Sequence, residues 1–357
     1  MRHSIVMSKN SLAKKAGVPT GISYRQAREI CPGLVYVKAD MSKYLATTKS
    51  VRAIYNKYSE KVIHYGMDES WIDLGYVSYR EAEQIADLIR IEIMYTLSLS
   101  ASLGVSYNLI FSKIGSDYRK PNAVTVITLD NYKKIVWPLP SSKLLFVGAH
   151  RKYQLLGRGI STIGDIAHTD PFMLSKLLGK AGYDLWQYAN GNDNGFKPNA
   201  EQIGSIGNTI TPPANLHTTH DVSAILYLLA TAVCTRLKKH KLKTSCISIS
   251  MRDQSFNKTT RQCTFITATD SVNYVFNNAY KLFVDHYEWK EPLRSIGVRA
   301  DKLDSLGQLT LIEWDDCKPI VDVSSRVIDL TNRLGPLNVE QAATTKEMVV
   351  SADDIKP

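Results

Sequence analysis

Two adjacent carboxylates, Asp68 and Glu69, are the residues of this sequence best suited to chemistry. They lie within the stretch 62–74, where apolar and β-branched residues flank them on both sides. Carboxylates this close repel each other unless a cation lies between them. Magnesium ions prefer oxygen ligands completed by substrate phosphates, and two such ions can bridge the attacking and leaving oxygens of a phosphoryl transfer. The alternative is an ordinary solvated turn, which is what an isolated acidic pair would favour.

A second segment, 102–122, could supply the positive charge that such a reaction needs. Its pattern predicts a strand that ends at Ser106, followed by a helix that Asn108 caps. The helix runs into a cationic turn in which Lys120 could hold a triphosphate as a point charge. The alternative is a plain helix C-terminus whose cations complement the helix dipole.

The surrounding pattern indicates the elements that must position these residues. Alternating residues predict a hairpin of strands 62–67 and 71–74, with the acidic pair at or near its bend. A helix is predicted over 42–58, a strand over Leu34–Val37, and a helix-rich region over 141–190.

The C-terminal half shows a second alternation of strand and helix patterns after a linker at 191–203 that is rich in Gly, Asn and Pro. The predicted strands lie near 204–211, 245–251, 260–267 and 293–299, and the predicted helices are 221–240 and 271–286. The order βαββαβ predicts a ferredoxin-like plan. The tail from 301 onward is expected to be poorly packed, with one amphipathic helix over 324–334.

Composition narrows the class of protein. The chain has 357 residues, and 44 Lys and Arg against 34 Asp and Glu give a formal net charge of +10. This charge favours a polyanionic partner, nucleic acid first, over an acidic or membrane-spanning protein. The five cysteines form no CxxC pair, and no apolar run is long enough to span a bilayer, so we expect a cytoplasmic protein.

Three segments together resemble the Y-family (translesion) DNA polymerases, in particular the bacterial and phage UmuC/DinB-like branch. The stretch 65–74 is similar to the family's palm motif, 102–122 to the motif that follows it, and 13–21 to its fingers segment. The second motif departs at Leu109, where the family usually has lysine, and at Ala123, where it usually has glycine. The resemblance implies an α+β polymerase architecture with palm, small fingers, a helical thumb and a βαββαβ little finger.

This resemblance also implies roles for individual residues. Asp68 would bind both Mg²⁺ ions, with Mn²⁺ as a possible substitute, and Glu69 would bind the ion that activates the primer 3′-hydroxyl. Lys120 would contact the phosphates of the incoming dNTP. Ser11 and Lys14 occupy positions where many members have Tyr and Arg, so the bidentate grip of an arginine is lost here.

Further implied contacts are to DNA and to a protein partner. The thumb segment resembles a helix-hairpin-helix region whose Gly148, Gly157 and Gly159 would approach DNA phosphates, although Phe146 stands where the family often has glycine. The candidate phosphate contacts of the little finger are Arg252, Arg261, Arg294 and Arg299. A peptide that resembles the bacterial sliding-clamp-binding motif is formed by Gln308, Leu309, Leu311 and Ile312.

The resemblance predicts the following organisation: fingers 1–32, palm 33–139, thumb 140–190, linker 191–203, little finger 204–302 and tail 303–357. Family members begin with a further strand that carries another catalytic Asp, and this strand has no equivalent before Ser4. The chain is therefore expected to be a mis-started or truncated product, half of a split polymerase completed by a separate N-terminal fragment, or an inactive DNA- and clamp-binding remnant.

The function expected by resemblance is template-directed DNA synthesis in repair and SOS-type damage tolerance, with the chain alone not competent. A non-catalytic DNA- and clamp-binding protein is the alternative from another class. Another palm-type nucleotidyl enzyme such as a cyclase fits less well, because it needs no grip on a duplex.

Overall fold

A computed structural model of the chain describes residues 5–193, 203–305, 319, 321 and 323–334. The first elements are two short helices, α1 (Ser11–Lys15) and α2 (Tyr24–Ile30). Asn10 caps α1 by accepting a hydrogen bond from the Ala13 amide at 2.9 Å, which satisfies a donor that the helix leaves free. The predicted strand Leu34–Val37 is wrong: it has no partner strand among the described residues, and Val35 is 84% exposed.

The next region contains two small sheets and three helices. The elements are α3 (Met41–Tyr55), β1 (Val62–Tyr65), β2 (Glu69–Ile72), α4 (Tyr79–Leu97), β3 (Leu103–Ser106), α5 (Leu109–Tyr118) and β4 (Val124–Ile127). Strands β1 and β2 form the predicted antiparallel hairpin, and β3 pairs with β4 in parallel. Gly104 allows α5 to approach β3 closely, since a Cβ on this residue would lie 1.9 Å from the Ser112 carbonyl oxygen.

The helix-rich region predicted over 141–190 is confirmed. It contains a 3₁₀ turn at Ser141–Lys143 and the helices α7 (Ala149–Leu156), α8 (Ile163–His168), α9 (Pro171–Leu178) and α10 (Lys180–Ala189), preceded by the short α6 (Tyr132–Ile135). Ile110 and Phe111 of α5 share one apolar core with Leu144 and Leu155 of this region. The acidic hairpin and the helical region are thereby connected through α5.

The C-terminal half has the predicted βαββαβ order. Its elements are β5 (Ile206–Ile210), α11 (Thr219–Lys239), β6 (Leu242–Asp253), β7 (Lys258–Thr269), α12 (Val272–His286) and β8 (Leu293–Ser305). The antiparallel sheet has the order β5-β8-β6-β7, so the fourth strand of the unit lies between the first and second. In the ferredoxin-like plan the third strand takes that place, so the predicted plan is wrong for this unit. The order of elements along the chain does not determine which strand enters the gap that a βαβ crossover leaves.

The expectation of a poorly packed tail is wrong for the last described helix, α13 (Val323–Leu334). Val323 and Leu330 are 3% and 0% exposed and belong to the same core as α11 and the sheet. Arg326 donates to the Ser223 hydroxyl of α11 at 2.8 Å, and Arg333 pairs with Asp221. An amphipathic helix was predicted here, and its apolar face is buried.

Contacts divide the chain into two units. Of the described residues, the first unit comprises those up to Ala39 and those from 203 to 334, and the second comprises 40–193. None of the helices in the described part of the chain is both long enough and apolar enough to cross a membrane.

Candidate active site

The acidic pair lies at the turn of the β1–β2 hairpin. Asp68 is the last residue of the turn and is exposed, and Glu69 opens β2 opposite Tyr65. Helix α3 holds the turn, because Arg52 donates to the Gly66 carbonyl at 3.1 Å and Thr48 donates to the Met67 carbonyl at 2.9 Å. Hydrogen bonds from α3 thus hold the backbone of the turn next to both carboxylates.

The hairpin is also tied to α5. The indole Nε1 of Trp71 donates to the Leu109 carbonyl at 2.9 Å. Glu69 lies two residues before Trp71, on the same face of β2, and Lys113 lies one turn after Leu109, on the same face of α5. The same register therefore brings the Lys113 Nζ to 2.8 Å from the Glu69 Oε1.

Charges of alternating sign continue from Glu69 along α5. Lys113 also lies 2.9 Å from the Asp117 Oδ2, and the other oxygen of Asp117 lies 2.6 Å from the Lys120 Nζ. Burial alone would lower the pKa of Lys113, but the hydrogen bonds to Glu69 and Asp117 outweigh burial and raise that pKa. Burial alone would raise the pKa of Asp117, but Lys120 and Lys113 outweigh it and lower that pKa. Lys113 and Asp117 are therefore both charged at neutral pH.

The structure brings the predicted Lys120 into this network but adds two residues that sequence reasoning missed. Lys113 and Asp117 were within the quoted motif and were given no role. Their spacing was a usable signal, because Lys113 and Asp117 lie four residues apart on one face of α5 and Lys120 follows three residues later, just past the end of the helix. The link to Glu69 could not be read from the sequence, because it depends on how β2 packs against α5.

The exposed Asp68 and half-buried Glu69 offer the oxygen ligands that a hard divalent cation takes. The negative charge of Asp68 also reaches Tyr55, whose pKa is raised first by burial and then by this carboxylate. Among the described residues, one group of three possible metal ligands is found, at His220, Asp221 and Asp329. That group lies in the other unit, and Arg333 pairs with both of its carboxylates. In the described part of the chain, the hairpin site therefore rests on two carboxylates.

A cleft of about 400 Å³ opens beside the network. Tyr65, Lys113 and Asp117 line one side, and the segment 142–148 that leads into α7 lines the other. In this segment Phe146 has a φ of +71°, a conformation that favours glycine, and Arg151 donates to its carbonyl at 2.7 Å. The backbone thus keeps the conformation expected of a glycine although a bulky residue occupies the position.

The three glycines predicted to contact DNA differ in what their backbones offer. Gly148 is the N-cap of α7 and no side chain caps the helix there, so the first amides of α7 are open to an anion. Gly157 and Gly159 lie at the other end of α7, and their amides donate to the carbonyls of Tyr153 and Leu156 at 3.0 Å each. This bonding favours Gly148 over the other two as a phosphate contact.

The remaining predicted site residues that the structure describes lie in the first unit. Ser11 and Lys14 are exposed on α1. Gln308, Leu309, Leu311 and Ile312 of the predicted clamp peptide lie outside the described residues, as does most of the predicted linker.

The four arginines of the little finger do not share one face. Arg252 and Arg299 pair across the sheet with Lys258 and Ser248, on the face opposite the helices. Arg261 pairs with Ile249, whose side chain is buried beneath the helices, so Arg261 belongs to that other face. Arg294 stacks over the ring of Phe256 at 4.5 Å. Two of the four arginines are therefore placed together on the open face.

Comparison with known proteins agrees with this geometry. Residues 1–117 match the impB/mucB/samB family, and residues 204–311 match the C-terminal domain of the same family. Among curated proteins, DNA polymerase IV of Acetivibrio thermocellus is 37% identical over 349 residues, which cover 95% of this chain and 88% of that protein. DNA polymerase IV 2 of Bacillus subtilis is 28% identical, with 96% and 86% of the two chains covered.

Solved structures show the same fold. A Y-family DNA polymerase chimera of Dbh and Dpo4 superposes with a TM-score of 0.74 at 23% identity, covering 84% of this chain and 88% of the chimera. DinB from Sulfolobus solfataricus superposes with a TM-score of 0.53 at 22% identity, covering 83% and 87%. The chain therefore belongs to the impB/mucB/samB family, the DinB/UmuC-like branch of the Y-family DNA polymerases.

Proposed function

We propose that this chain carries out template-directed DNA synthesis of the translesion type, adding a nucleotide from a dNTP to a primer 3′-hydroxyl. The observation that carries the proposal is the continuous line of charges from Asp68 and Glu69 through Lys113 and Asp117 to Lys120. This line joins a site for hard cations to a site for a triphosphate, as nucleotidyl transfer requires. Relatives named DNA polymerase IV support it.

In this proposal Asp68 and Glu69 hold Mg²⁺, or Mn²⁺ in its place, and these ions supply Lewis-acid activation of the primer hydroxyl and charge neutralisation at the phosphate. Lys120 binds the triphosphate through a flexible point charge, since its side chain is 55% exposed. Lys14 and Ser11 of α1 would offer a charge and a hydroxyl to a nucleotide phosphate. The cleft beside Tyr65 receives the primer end.

The protein would grip primer–template DNA at two places. The open amides at the start of α7, near Gly148, suit a backbone phosphate. Arg252 and Arg299 suit phosphates along the open face of the little-finger sheet. Two further parts of the proposal are a sliding clamp bound through Gln308–Ile312 and a cytoplasmic location, where the DNA substrate is.

A second candidate follows from the count of metal ligands. Two ions are poorly held by two carboxylates, and the described residues place no third His, Cys, Asp or Glu side chain in a cluster with Asp68 and Glu69. We propose that the alternative function, DNA and clamp binding without catalysis, applies unless a carboxylate from outside the described residues completes this site.

Primer extension tests both candidates. The purified chain is incubated with Mg²⁺ and dNTPs on undamaged and lesion-bearing templates, alone and with the N-terminal segment of the Acetivibrio thermocellus relative added as a separate peptide. We expect extension on both templates, at a rate that the peptide raises, and salt-sensitive DNA binding in either case. Robust extension by the chain alone would show that its own residues complete the metal site. No extension under any condition, with DNA binding retained, would leave the non-catalytic function.

A further inference from the structure

The ammonium group of Lys113 pairs with a carboxylate oxygen of Glu69 that a metal ion would need as a ligand. The Lys113 Nζ is 2.8 Å from the Glu69 Oε1, and this carboxylate is one of the two assigned to the metal ions. Building on the proposed function, we propose that Lys113 is a positioning residue that acts as a built-in counter-cation for Glu69. A metal ion binds by displacing it, and Asp117 receives the displaced ammonium.

Geometry makes this exchange possible without leaving a charge unpaired. Lys113 touches Glu69 and Asp117 at once, at 2.8 Å and 2.9 Å, so losing one partner leaves it bonded to the other. Its side chain is only 18% exposed, and a half-buried ammonium with no partner would be costly. Asp117 is therefore the group that allows Lys113 to release Glu69.

Asp117 also links the exchange to the nucleotide. One of its oxygens pairs with Lys113 and the other with Lys120 at 2.6 Å. When a triphosphate draws Lys120 away, Asp117 is left with Lys113 as its remaining partner, which strengthens its hold on that ammonium. Glu69 is then freed for the metal, so that nucleotide and metal bind cooperatively.

A purely structural role would be a strut that holds β2 against α5. That connection already exists in the hydrogen bond from Trp71 to the Leu109 carbonyl and in the burial of the Trp71 side chain. The two roles predict opposite effects on metal affinity. If Lys113 only held β2 against α5, its loss would loosen Glu69 and weaken metal binding. If Lys113 competes with the metal ion, its loss would strengthen metal binding.

The test is Mn²⁺ binding to the full chain, measured by the electron paramagnetic resonance signal of the free ion. We expect Lys113→Met to bind Mn²⁺ about tenfold more tightly than the wild type, because a competing unit charge is removed next to a ligand. Asp117→Asn should bind about threefold more weakly, because Lys113 is then held by Glu69 alone. In Lys113→Met/Asp117→Asn the effect of Asp117→Asn should vanish, because Asp117 acts through Lys113.

Two controls locate the effect. Lys57→Met removes a cation from another ion pair of the same unit, with Glu92, and should leave Mn²⁺ affinity unchanged. Adding Glu69→Gln to Lys113→Met should abolish the gain. Thermal unfolding of each variant shows that it is folded.

The proposal is overturned if Lys113→Met binds Mn²⁺ no more tightly than the wild type, or if the full effect of Asp117→Asn persists in the double variant. These outcomes are separate from those of primer extension. An active polymerase without this pattern of affinities would retain the proposed function and lose only the role of Lys113.

Discussion

At the scale of single residues, the sequence predicted the carboxylates but not their partners. Asp68, Glu69 and Lys120 could be named because adjacent acids between apolar strands, and a cationic turn after a helix, are local patterns. Lys113 could not be joined to Glu69, because 44 residues separate them and only the packing of β2 on α5 brings them together. Nor could the sequence show that Arg261 and Arg252, two arginines of neighbouring strands, occupy different faces of the sheet.

Lys120→Met tests the triphosphate contact. We expect the KM for dNTP to rise about tenfold, since a charge-assisted contact to phosphate contributes on the order of 1.5 kcal/mol, while DNA affinity stays unchanged. Steady-state incorporation under conditions that support extension measures the KM. Lys134→Met, at another lysine of the same unit, is the control, and an unchanged KM in Lys120→Met would contradict the assignment.

His64 gives the hairpin a pH dependence. Burial, and then the Arg52 guanidinium, lowers the pKa of His64 to about 4. The unfolded ring titrates near about 6.5, so the unfolded chain takes up a proton first and the free energy of unfolding falls as the pH drops from about 6.5 toward about 4.

We expect the wild type to lose about 1 kcal/mol more than His64→Gln between about pH 7.5 and pH 5, after a discount for the partly exposed ring. Urea unfolding of the two proteins at each pH measures the difference. His150→Gln, at an exposed histidine of the same unit, should behave as the wild type. Parallel pH profiles for wild type and His64→Gln would rule out this role.

At the scale of elements, local sequence patterns predicted the type and position of helices and strands better than they predicted which strands lie next to each other. The β1–β2 hairpin and the helices of 141–190 followed from apolar periodicity. The strand expected at 34–37 did not form, because a β-branched pattern requires a partner strand and the described residues of that segment provide none. The sheet order β5-β8-β6-β7 was missed, because strand neighbours are chosen by tertiary packing.

At Phe146 the residue type and the backbone conformation disagree. Its φ of +71° is a conformation in which a Cβ costs about 1 kcal/mol. We therefore expect Phe146→Gly to be more stable than Phe146→Ala by about 1 kcal/mol, although both lose the aromatic ring.

Denaturant unfolding of the two variants gives this difference directly. At Lys152, an exposed position within α7, the same pair of substitutions should show the opposite order, with Ala more stable than Gly by about 1 kcal/mol. The same order at both positions would show that the backbone at 146 does not require positive φ.

At the scale of the whole molecule, the net charge of +10 indicated a polyanionic partner, and family membership identifies the class of protein as a DNA polymerase. Charge alone could not separate a DNA-binding surface from a solvated one. The sheet register adds a distinction that charge does not, since it places Arg252 and Arg299 on the open face and Arg261 on the other.

This division predicts the salt dependence of DNA binding. Arg252→Ala and Arg299→Ala should each weaken binding to primer–template DNA and lower the slope of log K against log salt by about 0.9, the value for one phosphate contact. Arg261→Ala should change neither. Fluorescence anisotropy across a range of salt concentrations measures both quantities, and an equal effect of all three substitutions would argue against the open face as the DNA surface.

Nucleotide incorporation by Asp68→Asn, compared with Asp73→Asn, tests the acidic pair most directly. Both substitutions neutralise one carboxylate of the same hairpin, but only Asp68 lies at the turn beside Glu69. Measured with Mg²⁺ under the conditions that give the wild type its highest extension rate, Asp68→Asn should lower incorporation at least about a thousandfold, because a metal ligand is lost. Asp73→Asn should stay within about threefold of the wild type. Incorporation that survives in Asp68→Asn would contradict the assignment of this pair as the metal-binding centre.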